Sequence, residues 1–172
     1  MSMPPEMGRL PDAEALCTQL AAQLKPALKA TTAMIGIHTG GAWLAERLHA
    51  MLALADPLGL MDIAFYRDDY AKQGLHHDPK RTRIPFEIEG RDLLLVDDVL
   101  YTGRTVRAAM NELFDYGRPR SIALVVLADR GGRQLPICPQ HCGAQVEVPE
   151  GMRLRLKRAA AGKLSLEIER AG

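Results

Sequence analysis

The chain has 172 residues, 47% of them hydrophobic and 25% charged, with a formal net charge of +1. That is enough chain for one core, and the balanced charge excludes a general attraction to nucleic acid or to a membrane surface. No apolar run approaches the ~20 residues a bilayer span needs, and Met1–Arg9 does not read as a signal peptide. The three cysteines, Cys17, Cys138 and Cys142, form an odd set. With no secretory signal this points to reduced thiols and a cytoplasmic protein. Cys138, His141 and Cys142 lack the second ligand pair of a zinc site.

Asp12 caps a helix with Leu16, Leu20, Leu24 and Leu28 at helical spacing, bent or stopped early by Pro26. Ala33–Ile37 is a short apolar strand. The turn Thr39-Gly40-Gly41 follows it, then a helix over 42–54. Met61–Tyr66 is the next strand. Residues 67–85 are polar and aperiodic, and they carry Lys72, His76, His77, Lys80, Arg81 and Arg83. Such a stretch reads as a lid over an anionic ligand or as a solvated loop.

Leu93–Val96 is apolar on successive residues, the pattern of a strand buried on both faces of a parallel sheet. A helix over 105–116, stopped by Gly117 and Pro119, leads to a second such strand, 121–128. The alternation predicts an α/β domain with a mostly parallel central sheet flanked by helices. Beyond Gly131 the pattern is irregular until residues 152–157 and 163–169, which alternate strictly and predict an antiparallel hairpin at the edge. One domain is expected, with a core over 10–130 and a hood and hairpin over 131–172.

Ligands of open α/β sheets sit beyond the carboxyl ends of the strands. Segments 38–41, 97–105 and 129–133 all fall there. In the central one, Asp97 and Asp98 precede Thr102-Gly103-Arg104-Thr105 at a helix start. Backbone N–H groups there suit a phosphate, and a glycine allows close approach. Two carboxylates would repel that phosphate. They suit a ribose diol and can hold Mg²⁺ directly or through water. The pattern therefore specifies a sugar with a phosphate at one end.

Asp97-Asp98-Val99-Leu100-Tyr101-Thr102-Gly103-Arg104-Thr105 resembles the binding motif for 5-phosphoribosyl-1-pyrophosphate (PRPP) of type I phosphoribosyltransferases. Together with Gly117-Arg118-Pro119, Phe65–Asp69, Leu127–Gly131 and Leu135-Pro136-Ile137, it resembles the pyrimidine operon regulator/uracil phosphoribosyltransferase family over residues 10–150. The resemblance implies a type I phosphoribosyltransferase fold with a flexible lid loop and a small C-terminal hood. It implies an activity that joins uracil and PRPP into UMP and pyrophosphate, with Mg²⁺ as cofactor.

Site roles follow from the same resemblance. His38, Thr39, Gly40 and Gly41 form the pyrophosphate loop. Asp97 to Thr105 bind PRPP, with Asp97, Asp98 and Arg67 catalytic and the metal held mostly indirectly by the two acids. Asp68, Asp69, Lys72, Arg81 and Arg83 belong to the lid, and Asp129 and Arg130 to the base-receiving hood. A homodimer or higher assembly is implied.

Tyr101 stands where purine-salvage relatives carry a second Asp, which favours a pyrimidine; it can equally be a packing residue. The sequence departs from the family at His38 and Gly40, where many members have a basic residue and Arg. It also departs at Gly132, Cys138 and Ala144, where the RNA-binding regulatory members carry polar or basic groups. These departures argue against RNA as a partner, although Arg118, Arg120, Arg133, Arg153, Arg155, Lys157 and Arg158 could form another basic face. An enzyme, an RNA-binding regulator that senses UMP, and a phosphoribosyltransferase for another base are the three readings.

Overall fold

The computed structural model describes residues 8–63 and 82–172. Three strands carry the site. They are β1 (Thr32–Ile37), β3 (Asp92–Leu100) and β4 (Ser121–Asp129). They lie side by side and parallel, with β2 (Gly59–Met61) beyond β1 and β5 (His141–Gln145) beyond β4, giving the order β2-β1-β3-β4-β5. Register pairs Gly36 with Val96 and Leu100 with Asp129. The carboxyl ends of the three central strands therefore open at neighbouring points of one edge.

Alternation through the pleat sends side chains to two cores. Met34, Leu94, Val96, Val125 and Leu127 face one side, where they meet Leu16, Cys17, Leu20 and Leu24 of α1 (Ala13–Leu24) and Leu44, Ala45 and Leu48 of α2 (Gly40–Leu52). Ile35, Ile37, Leu93, Leu95 and Val126 face the other side, covered by Val106, Ala109 and Leu113 of α3 (Arg104–Tyr116) and by Ile88. Burial on both faces is why β1 and β3 read as unbroken apolar runs. The Asp12 carboxylate accepts the Ala15 N–H at 2.9 Å and caps α1. The helix ends at Leu24, and Pro26 sits in a short 3₁₀ turn, as the sequence predicts.

The structure departs from the sequence reading in three places. The hairpin forms, with β6 (Met152–Arg158) antiparallel to β7 (Leu164–Arg170), but it is a separate two-stranded sheet rather than an edge of the main one. Each strand has a single apolar face, and Leu154, Leu156, Leu164 and Leu166 bury it in the core against α1 and α2. The stretch read as irregular holds β5, which has no apolar run to reveal it. The Gln140 side chain and backbone both bond to Leu124, like a rung of the ladder ahead of β5. The strand expected at 61–66 begins earlier, at Gly59, and residues 64–66 lie outside the described residues. Among the described residues no helix is long and apolar enough to cross a membrane.

Candidate active site

A cavity of about 730 Å³ opens at the carboxyl ends of β1 and β3. Thr39 and Gly40 line it from the turn after β1, and Asp97, Asp98 and Val99 from β3. Tyr101, Thr102, Arg104 and Thr105 line it from the start of α3, and Arg130 from the chain after β4. Three segments distant in sequence thus share one space.

The two acids lie within β3, not after it. Asp97 is 5% exposed, and its Oδ1 accepts the Asp98 N–H at 2.9 Å. Both are packed against the glycines that open α2. A Cβ on Gly41 would stand 2.7 Å from the Val96 carbonyl oxygen and 3.0 Å from the Asp97 Cα, both backbone atoms that cannot swing away. A Cβ on Gly40 would collide with the Asp98 carboxylate. The glycine pair is therefore what lets the turn after β1 lie directly on the acids. The turn itself carries a cis His38–Thr39 peptide.

The 102–105 loop is held from the other side by the chain after β4. The Thr102 carbonyl accepts the N–H groups of Gln134 (2.9 Å) and Leu135 (3.2 Å), and Arg104 Nε donates to Gln134 Oε1 at 3.0 Å. Gly103 has φ +92° and starts α3 without a side chain to cap it, and the Thr102 hydroxyl accepts the Arg104 N–H at 3.2 Å.

Arg133 ties these parts together. Its Nη2 donates to Asp129 Oδ2 at 2.6 Å, Nη1 to the Tyr101 carbonyl at 2.7 Å and Nε to the Ile137 carbonyl at 2.9 Å. Burial pushes the Asp129 carboxyl up. Arg133 and the Gly131 N–H (3.0 Å) act more strongly the other way, so it rests below the ordinary carboxylate range. The Arg130 guanidinium lies over the Tyr101 ring, 3.9 Å from its centroid, and Arg130 Nη1 donates to the Met152 carbonyl at 3.1 Å. Gly132, at φ +81°, lies so close to the Tyr101 ring that a Cβ there would collide with it.

Not every expected site residue reaches the cavity. Thr39, Gly40, Asp97, Asp98, Val99, Tyr101, Thr102, Arg104, Thr105 and Arg130 do. Gly41 and Gly103 shape it from behind, and Leu100 is buried in the core on the α3 side. His38 stands beside the cavity, with its N–H bonded to the Met61 carbonyl. Asp129 was expected in the hood. Its carboxylate, 12% exposed, is paired with Arg133 and is not among the groups lining the cavity. Arg83 is exposed and pairs with Leu60 through the backbone, away from the cavity. Arg67, Asp68, Asp69, Lys72 and Arg81 lie outside the described residues.

The sequence reading missed Trp43 and Gln134 and, above all, the contribution of the hairpin. Arg153, Leu154, Arg155 and Leu156 form one wall of the cavity. Strict alternation announces a two-faced strand, but nothing in it says what the polar face meets.

Residues 6–147 match the model of the phosphoribosyl transferase domain family. The chain belongs to that family. Curated relatives called bifunctional protein PyrR agree over nearly the whole length. The one from Ralstonia nicotianae is 50% identical, with 88% of each chain covered, and one from Pseudomonas fluorescens is 46% identical over 92% of this chain and 96% of its own. A hypoxanthine phosphoribosyltransferase from Staphylococcus aureus, 19% identical, shares the fold with a TM-score of 0.64 over 86% of this chain and 81% of its own. As a member of the family, the chain is a phosphoribosyltransferase with the type I fold.

Proposed function

We propose that this phosphoribosyltransferase joins uracil to PRPP, forming UMP and releasing pyrophosphate. The observation that carries the reading is the single cavity shared by the Thr39–Gly40 turn, the Asp97–Asp98 pair and the Thr102–Thr105 helix start. Those three parts suit, in order, the diphosphate, the ribose hydroxyls and the 5′-phosphate of one ligand. Tyr101 packs under Arg130 and also borders the cavity, so packing does not keep it from a base-side role. Uracil is supported by that residue and by the resemblance to the pyrimidine operon family.

In the reaction the bond from C1 to the diphosphate breaks, its electron pair leaving with the diphosphate, while N1 of uracil bonds to C1 and its proton passes to the departing diphosphate or to water. Asp97 and Asp98 accept hydrogen bonds from the ribose and face the positive charge that develops on the sugar. The N–H groups at the start of α3 hold the 5′-phosphate in place, which fixes C1 against the base. Among the described residues no group of three or more potential protein ligands surrounds a metal position. The donor set of Asp97 and Asp98 fits a Mg²⁺ ion bound mainly through substrate oxygens and water. When bound, it would offset negative charge on the leaving diphosphate.

One domain, a homo-oligomer and a cytoplasmic setting belong to the same proposal. The relatives' name, bifunctional, favours a second role beside the transfer; the resemblance to the pyrimidine operon family makes an RNA-binding regulator sensing UMP the candidate for it. A pyrophosphate-release assay with PRPP, Mg²⁺ and each nucleobase tests the main reading. Turnover with uracil above all other bases is expected, and turnover with a purine alone would refute it.

A further inference from the structure

The turn His38-Thr39-Gly40-Gly41 contains neither Lys nor Arg. Yet the part of the substrate assigned to it is the most highly charged. Among the described residues, the cations lining the cavity are Arg104, Arg130, Arg153 and Arg155. Arg104 stands in the first turn of α3, where the 5′-phosphate is assigned, and its Nε is given to Gln134. Arg130 is stacked on Tyr101 and bonded to the Met152 carbonyl.

Arg153 and Arg155 differ. They are two residues apart on β6, so they point to the same face, with Cα atoms ~7 Å apart. Leu154 and Leu156 turn into the core, which puts the two arginines on the other face of the strand, and all four residues border the cavity. Their side chains are about half exposed, at 46% and 50%. Arg153 Nε (2.7 Å) and Arg155 Nη1 (3.1 Å) donate to the same oxygen of Glu169, and Lys157 reaches its other oxygen at 3.3 Å. One carboxylate thus serves three cations. The remaining N–H groups of two guanidinium forks, a donor geometry matched to phosphate oxygens, stand at the cavity wall.

We propose that Arg153 and Arg155 of the C-terminal hairpin bind the diphosphate of the ligand, supplying the fixed positive charge absent from the 38–41 turn, and exchange Glu169 for phosphate oxygens as it arrives. The proposal rests on the phosphoribosyl-transfer reading and adds a binding surface to it.

The test is calorimetric titration of the full chain with inorganic pyrophosphate and Mg²⁺, and separately with ribose 5-phosphate. In Arg153→Gln/Arg155→Gln, pyrophosphate binding is expected to weaken by ~10-fold or more, because charge-assisted bonds are lost. Ribose 5-phosphate binding should be unchanged, and it also reports that the variant is folded. KM for PRPP should rise more than kcat falls. Glu169→Gln should tighten pyrophosphate binding, since the arginines lose their internal competitor; a purely structural cluster would give the opposite sign. If the double variant is unfolded, Arg155→Gln alone, which keeps the Arg153–Glu169 pair, carries the test. Unchanged pyrophosphate affinity beside normal ribose 5-phosphate binding overturns the role of the hairpin alone. Failure of the native protein to bind either ligand overturns the phosphoribosyl reading and this proposal with it.

Discussion

Replacing Arg133 by Met keeps most of the side-chain volume and removes three hydrogen bonds at once. Those bonds run to Asp129, to the Tyr101 carbonyl and to the Ile137 carbonyl. The Arg133 side chain is 24% exposed and that of Asp129 12% exposed, so neither is a surface pair. Removing one partner of a fully buried pair costs about 3–5 kcal/mol. Partial solvent access lowers this, and the Gly131 N–H still holds Asp129. A loss of about 2–3 kcal/mol is therefore expected at pH 7. With a urea m-value of about 2 kcal/mol/M for a chain this size, the midpoint should fall by about 1–1.5 M at fixed protein concentration.

The effect has a pH signature. The Asp129 carboxyl is depressed in the folded protein, so its stabilising contribution is present above the unfolded carboxylate value of about 4 and is lost as pH falls through the lower folded value. Without Arg133 that contribution shrinks to what the Gly131 N–H supplies. The stability gap between native and variant should thus narrow on acidification below about pH 4. Because Tyr101 and the 130–137 segment lose their common anchor, kcat/KM for PRPP should also fall by ~10-fold or more. A variant within about 0.5 kcal/mol of the native protein at pH 7, or a gap unchanged by acid, would refute the reasoning.

Asp98→Asn is near-isosteric, so it should keep the fold and lose ~10-fold or more in kcat/KM; native activity in Asp97→Asn/Asp98→Asn would sink the ribose assignment. Gly41→Ala should destabilise by about 1–3 kcal/mol in urea, because its Cβ meets the backbone of Val96 and Asp97; a neutral result would mean that the turn does not lie on β3. A crystal grown with UMP should place its phosphate against the 102–105 backbone, and density for it elsewhere would refute that loop. Binding of the organism's own pyrimidine leader RNA at ~150 mM salt should be weak, no better than that of a scrambled control and unaffected by UMP; nanomolar binding to the leader alone, strengthened by UMP, would establish the regulator role.

The RNA expectation gains support from where the basic residues lie. Arg120 is bonded to Asp92 together with Thr31 and Ser121, and these three donors, Arg120 first, hold that carboxyl well below its ordinary range. This network sits at the amino ends of β3 and β4, whereas Arg133 works at their carboxyl ends. Arg158 lies over Trp43 and pairs with Glu46. The cations that composition would allow to form one face are spread out instead: Arg120 and Arg133 are engaged at opposite ends of the sheet, and Arg153, Arg155 and Lys157 share Glu169 on the separate hairpin.

The parallel sheet, its flanking helices and the Asp97–Thr105 segment were legible because each rests on a local pattern: double-sided burial, a capped helix start, or an acid pair beside a glycine turn. β5 was not, because His141–Gln145 owes its place to pairing with β4 rather than to its own composition. The role of Arg133 was also hidden. Three acceptors from Tyr101, Asp129 and Ile137 converge on it only after the chain beyond β4 folds back over the start of α3.

Gly40 and Gly132 show how a departure from a family pattern changes meaning once neighbours are known. As sequence, each reads as a lost functional side chain. In the structure each is a space filled by another part of the site: the Asp98 carboxylate beside Gly40, and the Tyr101 ring beside Gly132. A side chain restored at either position would have to displace a cavity-lining group, so neither loss is simply reversible. The charge absent from the 38–41 turn therefore has to enter the cavity from another element. Among the described residues, β6 is the one that brings two arginines to that wall on a rigid, core-anchored strand.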